Sequence, residues 1–122
     1  MLNCLFVGIG GFIGSICRYL VGLIPLKENS SFPFKTLCIN IVGAFVLGLL
    51  SAYAAKNPNV NPRVMLLLKV GVCGGFTTFS TFAYESTSLF TTGKSTMALT
   101  YILISVIAGI LAVFLAEQII HA

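Results

Sequence analysis

Gly74-Gly75-Phe76-Thr77-Thr78-Phe79-Ser80-Thr81-Phe82 sets a glycine pair, four hydroxyls and three phenylalanines into nine residues of an otherwise apolar chain. Glycines there loosen a helix and let backbones approach. Threonine and serine re-satisfy backbone groups that are freed, and non-helical backbone at membrane depth is tolerated only where it is buried in protein or lines a cavity. The segment reads as a permeation or binding element, not as a lipid-facing helix.

Working outward, the chain supplies membrane spans on both sides of it. Of 122 residues, 57% are hydrophobic and 8% charged, with a mean hydropathy of +1.03. Seven Lys/Arg and three Asp/Glu cannot build the charged surface of a soluble domain this size. Each helical span takes about 20 apolar residues, so the length fits roughly four spans with short loops, one compact transmembrane domain over residues 1–122. The first run extends from Leu2 to Ile24, interrupted by Arg18 and ended by Pro25. Lys27-Glu28-Asn29-Ser30-Ser31 forms a first loop, and Thr36–Ala55 is a charge-free second run. A second loop, Lys56 to Arg63, carries two prolines and three asparagines. The third run, Val64–Phe90, holds Lys69 near its start, the quoted segment in its middle and Glu85 in its second half. Thr91-Thr92-Gly93-Lys94 turns the chain into the last run, Ser95–Ala116, with Glu117 and His121 marking the far interface.

Several function classes drop out. Aspartate is absent and the basic residues stand singly, so no stripe for nucleic acid forms. Cys4, Cys17, Cys38 and Cys73 match neither a zinc site nor a disulfide framework, and read as small buried thiols. No phosphate loop, metal-ligand cluster or nucleophile–base pair points to an enzyme, and the penultimate His121 reads as solvated. The N-terminus lacks a basic region and a cleavage site, so the first run reads as a retained span.

Loop charges carry a further inference. Four spans put Lys56, Arg63 and Lys69 on one side and Lys27, Lys35 and Lys94 on the other, with Arg18 inside. Lys/Arg bias in short loops sets orientation, and here there is almost none. Insertion both ways round, as an antiparallel homodimer, is the expectation; a single orientation fixed by distant biogenesis cues is the rival.

The candidate residues each carry two readings. Arg18 follows Gly10 and Gly14 at four-residue steps, on a stripe suited to close helix packing. A charge at that depth faces a partner or water, so it either attracts an anion or serves structure. Asn40, sharing a face with Gly43, offers amide donors to an anion or glues helices together. Phe79 and Phe82, three apart, project from one helix face, with Phe76 joining them if the helix continues that far. Aromatic stripes usually pack cores, yet a ring has a positive edge that attracts an anion without tight binding. Conduction needs sites strong enough to enter and weak enough to leave. Ser80 and Thr81 add hydroxyls between the rings. Glu85 continues near that face, as proton relay, cation site or vestibule residue. Tyr101 and Ser105, four apart, set two hydroxyls on one face of the last span.

Gly-Gly-Phe-Ile-Gly-Ser-Ile-Cys-Arg-Tyr in the first span, Asn40 with Gly43 in the second and Gly-Gly-Phe-Thr-Thr-Phe-Ser-Thr-Phe in the third resemble the Fluc (CrcB) fluoride channel family. The resemblance covers essentially the whole chain. It implies an all-α integral membrane protein of four transmembrane helices, the third broken mid-membrane. It further implies a dual-topology, antiparallel homodimer in a bacterial inner membrane, with two pores that passively export cytoplasmic fluoride. By motif, Phe79 and Phe82 match the pore phenylalanines, Asn40 the pore asparagine, and Ser80 and Thr81 the polar track. Tyr101 and Ser105 fit the fourth-span hydroxyls, Glu85 an acidic residue at the track's end, and Arg18 a vestibule or structural arginine. A structural sodium ion (Na+) at the dimer centre is implied, on the backbone carbonyls of Gly74 and Thr77. The alternative is a small multidrug-resistance-type, proton-coupled cation antiporter. That class uses a carboxylate in the first span, where this chain has Arg18 and no acid.

Overall fold

The computed structural model describes residues 1–27 and 30–122, so Glu28 and Asn29 of the expected first loop lie outside the described residues. Four helical stretches are long and apolar enough to cross a membrane: Leu2–Gly22, Phe34–Lys56, Pro62–Thr91 and Ser95–His121. They comprise α1 (Leu2–Gly22), α2 (Phe34–Lys56), α3 (Pro62–Met65), α4 (Gly74–Phe76), α5 (Phe79–Thr91) and α6 (Ser95–His121). A π-helical segment, Leu66–Cys73, joins α3 to α4.

The boundaries follow local chemistry. The Asn61 side chain accepts from the N–H of Arg63 at 2.9 Å, and Pro62 takes the first helical position of α3. At the end of α5, Gly93 takes φ +79°. Its N–H bonds the Phe90 carbonyl (3.2 Å) and that of Lys94 bonds Leu89 (2.8 Å), a Schellman turn that only glycine enters without strain. The helices exceed the charge-free runs because lysines tie helix ends together. Lys35 Nζ donates to the Gly22 carbonyl at 2.8 Å and Lys56 Nζ to that of Ile120. Cations are favourable at such C-termini. Glu117 and His121 therefore lie on the last turns of α6.

Packing divides into two seams. Along one, α2 meets α6 through small residues: a Cβ on Gly48 would sit 2.9 Å from the Ala116 methyl. Along the other, α1 meets the third stretch backbone to backbone. A Cβ on Gly10 would overlap the Leu67 carbonyl and one on Gly14 the Val72 carbonyl. A Cβ on Gly75 would come within 2.6 Å of the Gly11 carbonyl oxygen. Gly10 faces Leu67 and Gly71, and Gly14 faces Val72 and Phe76. One four-residue turn of α1 is thus matched by a five-residue step of its neighbour, which is the i→i+5 period of a π-helix. No residue type in Leu66–Cys73 announces that period; the fit to the glycine stripe accounts for it.

Of the four thiols, only Cys73 is buried; Cys4, Cys17 and Cys38 are exposed, correcting the expectation of buried thiols. Lys69, expected near the start of the third run, is half-buried inside the π-helical segment, so it drops out of the loop charges with which it was counted.

Candidate functional site

Between α4 and α5 the backbone extends at Thr77 (ψ 158°) and Thr78 (φ −150°, ψ 115°). The hydrogen bonds explain how this is sustained. Asn40 Nδ2 donates to the Thr78 carbonyl at 3.0 Å, and the Thr78 N–H donates to Asn40 Oδ1 at 2.8 Å. One side-chain amide from α2 thereby bonds both backbone polar groups of buried Thr78, replacing the helical partner of its N–H and adding a second donor to the carbonyl that opens α5. Thr78 Oγ1 then caps α5, accepting from the Thr81 N–H at 3.2 Å and donating to Thr81 Oγ1 at 3.1 Å. Ser80 Oγ lies 3.3 Å from the same oxygen. On the other side, Thr77 closes α4, its N–H and Oγ1 both donating to the Cys73 carbonyl at 3.0 and 2.8 Å.

These substitutions release particular carbonyls. In a continuous helix the Thr78 N–H would bond Gly74 and the Thr81 N–H would bond Thr77. Asn40 and Thr78 Oγ1 take those donors instead. The carbonyls of Gly74 and Thr77 are thereby left without those helical donors. Among the described residues no cluster of His, Cys, Asp or Glu could hold a metal.

Beside this segment lies an open groove of about 380 Å³. Asn40 and Gly43 from α2, Lys69, Gly74, Thr77 and Thr78 from the third stretch, and Ser105 from α6 line it with Phe79 and Phe82. A Cβ on Gly43 would collide with the Thr77 methyl, so glycine admits the segment there. The Phe79 and Phe82 rings lie 5.7 Å apart at 53°, and Phe79 is 79% exposed. Phe76 does not extend their stripe, because the chain turns out of helix after it; it faces Gly14 and Gly43 instead.

The groove's polar lining holds donors as well as the carbonyls of Gly74 and Thr77. Ser105 Oγ is buried and has no partner among the described residues. Asn40 keeps one amide N–H beyond its bond to Thr78, and among the described residues no carboxylate lines the groove. Glu85 sits apart, its Oε1 accepting from the Tyr101 hydroxyl at 3.0 Å. Tyr101 is fully buried and stacks edge-on to Phe82 (5.2 Å) and Phe32 (5.6 Å). The hydroxyls of Tyr101 and Ser105 thus serve different neighbours. Arg18 is half-buried, lies outside the groove lining and makes no hydrogen bond or ion pair among the described residues.

Two participants escaped the sequence reading. Thr78 was legible as a capping threonine ahead of Phe79, a signal present in the residue type. Lys69 was not, because its place depends on the π-helical register.

Four apolar spans around a donor-lined groove define a multi-pass membrane protein with a built polar site. Residues 5–117 match the family model described as "CrcB-like protein, Camphor Resistance (CrcB)". The chain belongs to that family. It is 41% identical over 114 residues to a protein of Chlorobium phaeobacteroides (strain BS1) named "Fluoride-specific ion channel FluC", covering 93% of this chain and 89% of the relative. Proteins of the same name from Agrobacterium fabrum and Clostridium perfringens (strain 13 / Type A) are 44% and 34% identical. These cover 93% and 97% of this chain and 92% and 93% of the relatives, respectively.

Proposed function

We propose that this protein is a passive, fluoride-selective channel, exporting cytoplasmic fluoride as an antiparallel homodimer with two pores in a bacterial inner membrane. The observation that carries the reading is the groove itself. Phe79 and Phe82, an unpartnered Ser105 hydroxyl and Asn40, with one amide N–H to spare, line it, with no carboxylate among the described residues.

Hydrogen fluoride is a weak acid that crosses membranes neutral and dissociates in a more alkaline cytoplasm, trapping fluoride. A passive pore lets an inside-negative potential drive the anion out. Chloride must be held back, or the potential would collapse. Fixed weak donors favour a small, hard anion: in the groove Phe79 and Phe82 have positive ring edges to offer and Ser105 and Asn40 have O–H and N–H groups, and Ser80 and Thr81 add hydroxyls beside the rings. None of these binds so tightly that conduction stalls. Tyr101 fixes Glu85 at the far end of that track, and Arg18 serves a vestibule.

The dimer explains why Phe79 is so exposed in one chain, since a second copy would complete each groove around it. Loop charges support both orientations. With Lys69 inside a span, Lys56 and Arg63 oppose Lys27, Lys35 and Lys94, still a weak bias. The released carbonyls of Gly74 and Thr77 fit a sodium ion at the dimer centre, where it would offset their partial charges and hold the non-helical backbone.

Fluoride release from liposomes containing the purified protein, read with a fluoride electrode against a chloride-loaded control, tests the reading. Rapid fluoride efflux with negligible chloride efflux is expected. No efflux from well-folded dimer would sink it, and proton-coupled uptake of a lipophilic cation would favour the antiporter.

A further inference from the structure

Most cations at the helix ends have partners. Lys35 and Lys56 bond helix-end carbonyls, Lys94 bonds Ser31 Oγ, and Arg63 Nε approaches Asn3 Oδ1 at 3.4 Å. Lys69 has no hydrogen bond or ion pair among the described residues, although it lies within a span. It falls between Leu67 and Gly71, the two residues facing Gly10. Gly10 is eight residues beyond the start of α1 at Leu2, which is about 12 Å at the α-helical rise. A hydrocarbon core is about 30 Å thick, so Lys69 stands roughly a third of the way across.

Its surroundings decide where the ammonium is satisfied. On one side lies a hollow lined by Pro62, Met65, Leu66 and Val70, which offers the charge no acceptor side chain. On the other lies the groove of Asn40, Thr77, Phe79 and Ser105. An uncompensated charge against apolar walls is costly, and an intramembrane cation ordinarily marks a site for a counter-charge. Among the described residues the groove has no carboxylate to serve as one. An anion in the groove does.

We propose that Lys69 is an electrostatic determinant of anion access, raising the occupancy of the groove by a small anion before it meets the phenylalanine edges. The inference rests on the anion-channel reading and adds to it a residue in the π-helical segment. A fixed charge at a low-dielectric mouth concentrates counter-ions locally without binding them tightly. The π-helical register is what turns this position toward the groove.

The test measures initial fluoride efflux from liposomes across fluoride concentrations for wild type, Lys69→Met, Lys69→Gln and Lys69→Arg. Size-exclusion elution matching wild type establishes folding, and Lys69→Gln keeps a polar end if the methionine variant does not fold. At low fluoride and low ionic strength, both neutral variants should fall about tenfold. The deficit should vanish at saturating fluoride and shrink in an impermeant salt at about 1 M, where the Debye length is about 3 Å. Lys69→Arg should track wild type. Folded neutral variants matching wild type at every concentration would overturn the inference. So would a deficit that neither salt, saturating fluoride nor arginine alters, which would mark a structural role. Absence of efflux from wild type itself would instead remove the channel reading beneath it.

Discussion

The two halves of the third stretch are held by opposite means. From Leu66 to Gly75 it lies against α1 through missing side chains, Gly10, Gly14, Gly71 and Gly75 bringing backbones together. From Thr77 to Thr81 it is held by added side chains, with Asn40 and the Thr78 hydroxyl standing in for helical partners. The first half tolerates no extra atom, while the second tolerates no lost one. A membrane helix can thus be bent out of its regular register provided one flank is locked sterically and the other is satisfied by hydrogen bonds.

The sharpest way to break the comparison is to add an atom at the seam. Gly14→Leu would drive a side chain into the Val72 carbonyl, with backbone on both sides and nothing flexible to yield. Loss of folded protein, or a destabilisation of about 3 kcal/mol or more, is expected from thermal unfolding in detergent. Gly8→Ala is the control on the same helix, since a Cβ there meets nothing within 4 Å. If both variants behave alike, the seam is not a steric lock.

Removing a group on the other flank comes next. Asn40→Leu keeps the approximate volume but deprives the Thr78 N–H of its partner and the Thr78 carbonyl of its second donor. A loss of about 2 kcal/mol is expected, since one unsatisfied buried polar group costs about 1–3 kcal/mol. Fluoride efflux should be abolished together with it. Unchanged thermal stability would mean that water or another donor already serves Thr78.

How much of this was legible follows from the kind of interaction. The four spans were readable because apolar runs of that length leave little choice. The small-residue stripe of Gly10 and Gly14 was readable because i, i+4 spacing is local. Asn40 was readable as a residue with two roles, and the geometry assigns its amide to Thr78 while leaving one donor over. The π-helical segment was illegible because its cause is the neighbouring helix, five residues of one stretch answering four of the other. Lys69 was readable as a charge near the start of the third run, but its place on the groove was not, for the same reason. The Tyr101–Glu85 hydrogen bond was missed because Tyr101 was paired by spacing with Ser105, whereas its hydroxyl reaches across to α5.

A smaller effect probes that last pair. Tyr101→Phe keeps the edge-on contacts to Phe82 and Phe32 and removes only the hydroxyl that donates to Glu85. Such a bond contributes about 1.5–3 kcal/mol when its partner is charged and about 1 kcal/mol when neutral. Thermal unfolding therefore reads the state of Glu85 as well as the bond. A change near zero would mean that Glu85 finds water equally well without the tyrosine.

The smallest stability effect belongs to the most exposed ring. Phe79 is 79% exposed in one chain, so Phe79→Ile removes little buried contact within it. A change within about 0.5 kcal/mol is expected for unfolding of the isolated chain, while fluoride efflux should fall sharply because the positive ring edge is gone. Dissociation of the dimer should also become easier if a second copy covers Phe79. That outcome would separate the two flanks in function as well as structure, with the exposed ring serving transport on the proposed reading while the seam carries stability. Wild-type efflux from a well-folded Phe79→Ile protein would collapse the distinction, leaving the ring as ordinary packing at an interface.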